Sequence, residues 1–275
     1  MAGPVDSYAV MGNPIDHSKS PRIHTLFAQG AEQRMRYSSI LVEVGGFTKA
    51  VKGFFNNGDL GLSITTPFKE EAWQMAEVKT NRAEKAGAVN TLWRDSEGRL
   101  NGDNTDGLGL VTDLKQNHHI TLKGKRILIL GAGGAVRGVL ESVMAEQPSE
   151  LVIANRTISK AEKLVKLFPD KTVSACGFED IEGNFDLIIN GTAASLQGEM
   201  PPVPDSTVTS NTDCYDMMYG AEPTAFNRWA ESLGAAQTID GLGMLVEQAA
   251  EQFLIWRNVR PETVNILTML RKELE

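Results

Sequence analysis

The chain has 275 residues, 41% of them apolar, and a net charge of -8. That length suits two moderate domains with real cores, and the acidic balance excludes a protein that holds nucleic acid or an anionic membrane through its overall field. Two cysteines, Cys176 and Cys214, and four histidines, His17, His24, His118 and His119, build neither a zinc-ligand spacing nor a disulfide framework. MAGPVDSYAV lacks a basic segment followed by a long apolar one, and no apolar run elsewhere reaches about 18 residues. The expected compartment is therefore the cytoplasm, with no membrane partner.

YAVMG, a first apolar segment, leads to HSKSP at residues 17–21. Ser20 before Pro21 predicts a helix start with Ser20 as its cap, since proline lacks only an N–H that has no partner there. Ser18 is then surplus: either a spare hydroxyl in a polar turn, or a second donor for a small anion beside the positive end of a helix dipole. YSSILVEV predicts another strand and Gly46 to Asn56 a helix, after which GLSITT leads as a strand into the helix PFKEEAWQMA.

Lys69 falls in the first turn of that helix, where the dipole disfavours a cation. Either Glu70 and Glu71 offset it, or the lysine stands in a partly desolvated cleft as a proton donor and acceptor. AVNTLW and GRLNGDNTDG predict a hairpin and a turn that ends at Asp106. A calcium loop fails there, because Asp106 falls where such a loop needs glycine and Thr112 where it needs glutamate. The helix LGLVTDLKQ then marks a boundary between Asp106 and Leu122.

From Lys125 onward, KRILIL, a glycine turn, a helix to about Ala145, ELVIAN, a helix from about Ser159 to Phe168 and FDLIIN predict a doubly wound parallel sheet. The fold class is α/β, with mostly parallel sheets. Gly131 and Gly133 of GAGGAVRGVL lie at a strand-to-helix turn that a pyrophosphate could approach. The third small position of the dinucleotide fingerprint falls on Val136, so Gly134 and Ala135 must supply the close approach. Beyond Asn155, Arg156 stands where an NAD-binding chain places an acid on the ribose, about 20 residues past the fingerprint. With Thr157 beside it and Lys160 one helical turn on, the segment reads as a site for NADP rather than NAD. The last long helix, GMLVEQAAEQFLIW, is apolar on too many sides to face solvent.

The segments NPIDHSKSP, TTPFK, AGAVNT, GDNTDG, GAGGA, NRT, DMMY and GLGMLVEQA stand in an order and spacing that resemble the shikimate dehydrogenase family across essentially the whole chain. The resemblance implies reversible NADPH-dependent reduction of 3-dehydroshikimate to shikimate. It implies that Ser18 and Ser20 hold the substrate carboxylate, that Thr65, Asn90, Asp106, Tyr219 and Gln248 hydrogen-bond its hydroxyls or carboxylate, and that Lys69 and Asp106 form the catalytic pair. On the cofactor side it implies Gly131, Ala132, Gly133, Gly134 and Ala135 around the pyrophosphate, with Asn155, Arg156, Thr157 and Lys160 toward the 2′-phosphate and Met217 and Gly241 near the nicotinamide. Residues 1–105, completed by 243–275, would form the substrate domain and 106–242 a Rossmann-like NADP domain. A monomer and a homodimer are both open.

Two departures stand out. The family usually has asparagine at Ser63, so a hydrogen bond near Lys69 is expected to be weaker or water-mediated. Its segment N-A-T-S-x-G is here NGTAASL, with Gly191, Ala193 and Ala194, which puts that loop's cofactor contact in question. The alternatives are a quinate/shikimate dehydrogenase with relaxed substrate choice and NAD use, and a non-catalytic NADPH-binding sensor.

Overall fold

A computed structural model describes residues 5–169, 172–194 and 198–275. Ser195 and Leu196 of the departing loop lie outside the described residues. The chain divides into two compact units, 1–109 with 246–266 and 110–245 with 267–275. Relative to the expected boundaries at 105/106 and 242/243, each junction is shifted slightly toward the C-terminus, and residues 267–275 pack with the second unit.

The first unit begins as β1 (Asp6–Gly12), α1 (Ser20–Gly30), β2 (Met35–Leu41), α2 (Phe47–Asn56), β3 (Gly61–Ile64) and α3 (Lys69–Met75). β4 (Val78–Lys79), α4 (Asn81–Ala86), β5 (Thr91–Arg94) and β6 (Leu100–Asp103) follow. Its six-stranded sheet has the order β2-β1-β3-β5-β6-β4. β1 pairs in parallel with both neighbours, and β4 with β6, while β3-β5-β6 is an antiparallel meander around the predicted hairpin. α2 buries Phe47, Val51, Phe54 and Phe55, one stripe at helical spacing. Phe47 stacks on Phe68 at 4.8 Å, so α2 braces the turn before α3. β4 and α4 were not legible in the sequence: a two-residue strand carries no periodicity, and Thr80, whose hydroxyl accepts from Ala83 N–H, starts the short helix.

α5 (Asp106–Thr112) runs on as one wider turn over Asp113–Asn117. The second unit then alternates β7 (Arg126–Leu130), α6 (Gly134–Ala145), β8 (Glu150–Ala154), α7 (Ile158–Val165), β9 (Val173–Cys176), β10 (Leu187–Asn190), β11 (Asp213–Asp216), α8 (Ala225–Ser232) and β12 (Gln237–Asp240). Its sheet order, β12-β11-β10-β7-β8-β9, is parallel throughout and is the doubly wound arrangement expected. β7, β8 and β10 are buried almost end to end, as strands covered on both faces must be. The strand order reverses between β7 and β10, and a crevice opens there at the carboxyl ends.

α9 (Leu242–Arg257) and α10 (Val264–Leu274) end the chain. The part of α9 in the first unit supplies its partner to the apolar run: Trp256 lies against β3 so closely that a Cβ on Gly61 would meet its indole at 2.6 Å. Trp256 Nε1 donates to the Leu92 carbonyl at 3.3 Å, and its ring lies 5.1 Å from that of Tyr8. Among the described residues no helix is long and apolar enough to cross a membrane.

Candidate active site

The opening of α1 differs from expectation. Ser20 is the first helical residue rather than the cap; Lys19 holds the cap position without a side-chain bond, and Ser18 Oγ accepts the Ser20 N–H at 3.3 Å. The turn explains this: Ser18 N–H is tied to the Ile15 carbonyl, which brings the Ser18 hydroxyl under the first free amide. The Ser20 hydroxyl instead bonds to Tyr37 on β2. Both serines are half-buried and remain reachable.

Lys69 opens α3, as expected, and its ammonium donates to Asp106 Oδ2 at 2.6 Å rather than leaning on Glu70 or Glu71. The pair is partly open, with 32% and 15% of the side chains exposed. Asp106 is fixed from two further sides: its N–H donates to Asn104 Oδ1 at 3.1 Å, and its Oδ1 accepts from Asn90 Nδ2 at 2.8 Å. The orientation of the Asn90 amide follows, because its Oδ1 must receive the Thr105 N–H at 3.0 Å, leaving only the nitrogen to face Asp106. Arg82 forks onto buried Asp103, which also accepts from Thr80, so the loop carrying Asp106 is pinned at its base. Thr65, just past β3, and Gln248, on α9, are half-buried in the same unit.

Sequence reasoning did not single out His24, Tyr37 or Gln252. Tyr37 donates to Ser63 Oγ at 2.6 Å, Ser63 donates to Gln252 Oε1 at 2.6 Å, and Gln252 Nε2 donates to the Asn90 carbonyl at 3.1 Å. His24 Nε2 lies 3.3 Å from the same Gln252 oxygen, and its ring stacks on Tyr37 at 4.2 Å. Burial pushes the His24 pKa down to about 3 and that of the Tyr37 hydroxyl well up, so both stay neutral at ordinary pH. In sequence these residues look like polar positions inside apolar helices and strands; only the pairing of distant elements brings them together.

In the second unit the crevice between β7 and β10 has a volume of about 580 Å³ and is lined by Gly131 to Ala135, Asn155, Arg156, Thr192 and Met218, among others. Gly131 has φ +104°, and a side chain there would press on the Gly191 carbonyl. At Gly133 and Gly134 an added Cβ would meet nothing within 4 Å, which leaves open space above the start of α6, whose first amides have no side-chain cap. A pyrophosphate fits that cradle. Arg156 is exposed and forms no ion pair among the described residues, as a phosphate reader requires. Thr157 and Lys160 are exposed at the start of α7 but do not line the crevice. Met217 is buried beside Gly191, Met218 faces the crevice instead, and the Gly241 backbone packs directly on the Met217 carbonyl. Tyr219, also on this unit, is half-buried, with its hydroxyl pKa raised by burial and by Asp240.

The two sequence departures on this side are one exchange of volume. A Cβ on Gly191 would overlap Val136 Cγ2, so the side chain that breaks the fingerprint at 136 occupies the space vacated at 191.

A doubly wound unit whose glycine turn leaves room for a pyrophosphate, in one chain with a unit that arms a lysine with an aspartate, is the organisation of a nucleotide-dependent oxidoreductase, and that is the class of this protein. Residues 10–92 match the shikimate dehydrogenase substrate binding domain, 113–198 match shikimate / quinate 5-dehydrogenase, and 241–266 match the shikimate 5'-dehydrogenase C-terminal domain. A shikimate dehydrogenase (NADP(+)) of Alkalilimnicola ehrlichii is 56% identical over 98% of this chain and 99% of its own. Among solved structures, an Ael1 enzyme from Pseudomonas putida superposes with a TM-score of 0.94 at 42% identity, over 98% of this chain and all (100%) of the other. A shikimate 5-dehydrogenase from Thermus thermophilus, in complex with NADP(H) and shikimate, does so with 0.87 at 29%, again over 98% and 100%. The chain belongs to the shikimate dehydrogenase family.

Proposed function

We propose that this protein catalyses the reversible, NADP-dependent interconversion of shikimate and 3-dehydroshikimate. The observation that carries the reading is Lys69 held 2.6 Å from Asp106 in a pair that substrate can still reach, in a chain 56% identical to a relative named for that activity. NADP, when bound, supplies the hydride chemistry at C3. The protein must then give the C3 oxygen a proton as the ketone becomes an alcohol and take it back in reverse. Lys69 does this from its ammonium, and Asp106 holds Lys69 and orients the same hydroxyl. Asn90 holds Asp106, while Ser18 and Ser20 receive the carboxylate at the start of α1. Thr65 and Gln248 meet the remaining hydroxyls.

The residues of the second unit fit the cofactor. Gly131 to Ala135 and the free amides of α6 take the pyrophosphate, and Asn155 and Arg156 take the adenosine side, where the guanidinium suits a 2′-phosphate and repels none of its charge. Two free cysteines suit a cytoplasmic setting. The test is absorbance at the nicotinamide band. Shikimate with NADP should reduce the cofactor, and quinate with NAD should do so far more slowly. Equal rates with both pairs would replace this reading by that of a relaxed quinate/shikimate enzyme, and no turnover with either would leave a binding protein.

A further inference from the structure

Ser63 is buried, and its hydroxyl donates at 2.6 Å to the Gln252 carboxamide, which reaches in from α9. The orientation of that carboxamide is fixed: the Asn90 carbonyl can only accept, so Nε2 faces it, and Oε1 faces the Ser63 hydroxyl and His24 Nε2. His24 must then carry its proton on Nε2, which agrees with a buried Nδ1 that has no partner. The Asn90 carbonyl also accepts the Ile64 N–H at 2.8 Å, so Gln252 and β3 clamp one peptide from two sides. The side chain of that same residue donates to Asp106, the partner of Lys69. Gln252 is 2% exposed and its hydrogen bonds run to Asn90, Ser63 and His24. It acts on Asp106 and Lys69 through Asn90.

We infer that Gln252 is a positioning residue for proton transfer: its carboxamide, held by Ser63, holds Asn90, and through it Asp106 and Lys69, in register. This rests on the function proposed above. An asparagine at 63 and a glutamine at 252 deliver the same group from opposite sides of one small space, so the two should exchange.

The experiment compares wild type, Gln252→Ala, Gln252→Met, Ser63→Asn and the double variant Ser63→Asn/Gln252→Ala, all full-length, with shikimate and NADP. A slack of even about 1 Å at a catalytic pair costs up to roughly 10²-fold. Gln252→Ala should therefore lower kcat by about 10- to 100-fold, with KM for NADP unchanged. Ser63→Asn alone should also lose activity, because two carboxamides crowd one space. The double variant should recover kcat to within a few-fold of wild type, which a purely structural role would not produce. Gln252→Met fills the volume without the amide and keeps the test valid if the alanine variant does not fold. Wild-type kcat in Gln252→Met, or no recovery in the double variant, overturns the inference while leaving the function standing. A wild type that does not turn over shikimate overturns both.

Discussion

The two units solve recognition in opposite ways. In the first, the polar side chains are committed to one another: Ser20 to Tyr37, Tyr37 to Ser63, Ser63 to Gln252, Gln252 to Asn90, Asn90 to Asp106 and Asp106 to Lys69. In the second, the crevice is made by leaving side chains out, with glycines, a helix start and an arginine that forms no ion pair among the described residues. A reacting proton demands fixed distances, and only a satisfied network gives those. A pyrophosphate is met by backbone amides, which need room more than partners. Substitutions in the first unit should therefore harm by removing a group, and those in the second by adding bulk or by removing one charge.

The largest effect should come from Lys69→Ala, with turnover falling by about 10²- to 10⁴-fold, the range for losing a general acid. KM for shikimate should move little, since the lost interaction belongs to the transition state. Asp106→Ala should worsen both constants, because Asp106 holds Lys69 and is also assigned to the substrate hydroxyl. The double variant should be little worse than Lys69→Ala, as residues acting as a unit are not additive. Steady-state kinetics on the three proteins decides it. Wild-type turnover with lost affinity in Lys69→Ala would make the lysine a binding residue and remove the contrast between the units.

Next comes Arg156→Ala. A charge-assisted hydrogen bond is worth about 1.5 to 3 kcal/mol. NADP should bind roughly 10- to 100-fold more weakly by that conversion, while NAD binding stays as it was. Titration with both cofactors checks this. Equal weakening of the two would show that Arg156 does not read the 2′-phosphate.

A smaller effect tests the claim that the second unit is governed by volume. Gly191→Ala puts a methyl onto Val136 and should cost about 1 to 3 kcal/mol of stability, the usual cost of overpacking. Adding Val136→Ala should relieve most of that, giving a favourable coupling in the double-variant cycle. Denaturant melts give the coupling, and strictly additive losses would mean that the two departures are unrelated.

The general architecture was written in local signals. The strand–glycine turn–helix from Lys125 onward marked the doubly wound sheet, and GDNTDG after a hairpin marked the turn that ends at Asp106, whereas the pairing of Asp106 with a lysine 37 residues earlier was implied only by the family resemblance. What stayed hidden depends on long-range pairing. Gln252 meets Ser63 across 189 residues and His24 across 228, and nothing near any of them records the meeting. Val136 and Gly191 each looked like a defect because each was judged against a motif alone. The division of labour between Ser18 and Ser20 was also misjudged, since a preceding turn, and not the serine–proline pair, decides which hydroxyl reaches the first amide.

That last correction gives the smallest effect and separates two serines that the sequence treats alike. Ser18→Ala removes the acceptor for Ser20 N–H, a long bond at 3.3 Å on a half-buried turn, and should cost about 0.5 kcal/mol, the low end for a helix cap. Ser20→Ala leaves that amide untouched and instead takes a partner from the Tyr37 hydroxyl, at a cost of about 1 kcal/mol. Tyr37→Phe tells the two apart. In that background Ser20→Ala should cost much less, because its partner is already gone, whereas the cost of Ser18→Ala should be unchanged. Both single variants should raise KM for shikimate and leave KM for NADP alone, since the hydroxyls assigned to the carboxylate are lost in either case. If Ser20→Ala costs the same with and without the Tyr37 hydroxyl, Ser20 is a helix cap after all and the chain of bonds begins at Tyr37.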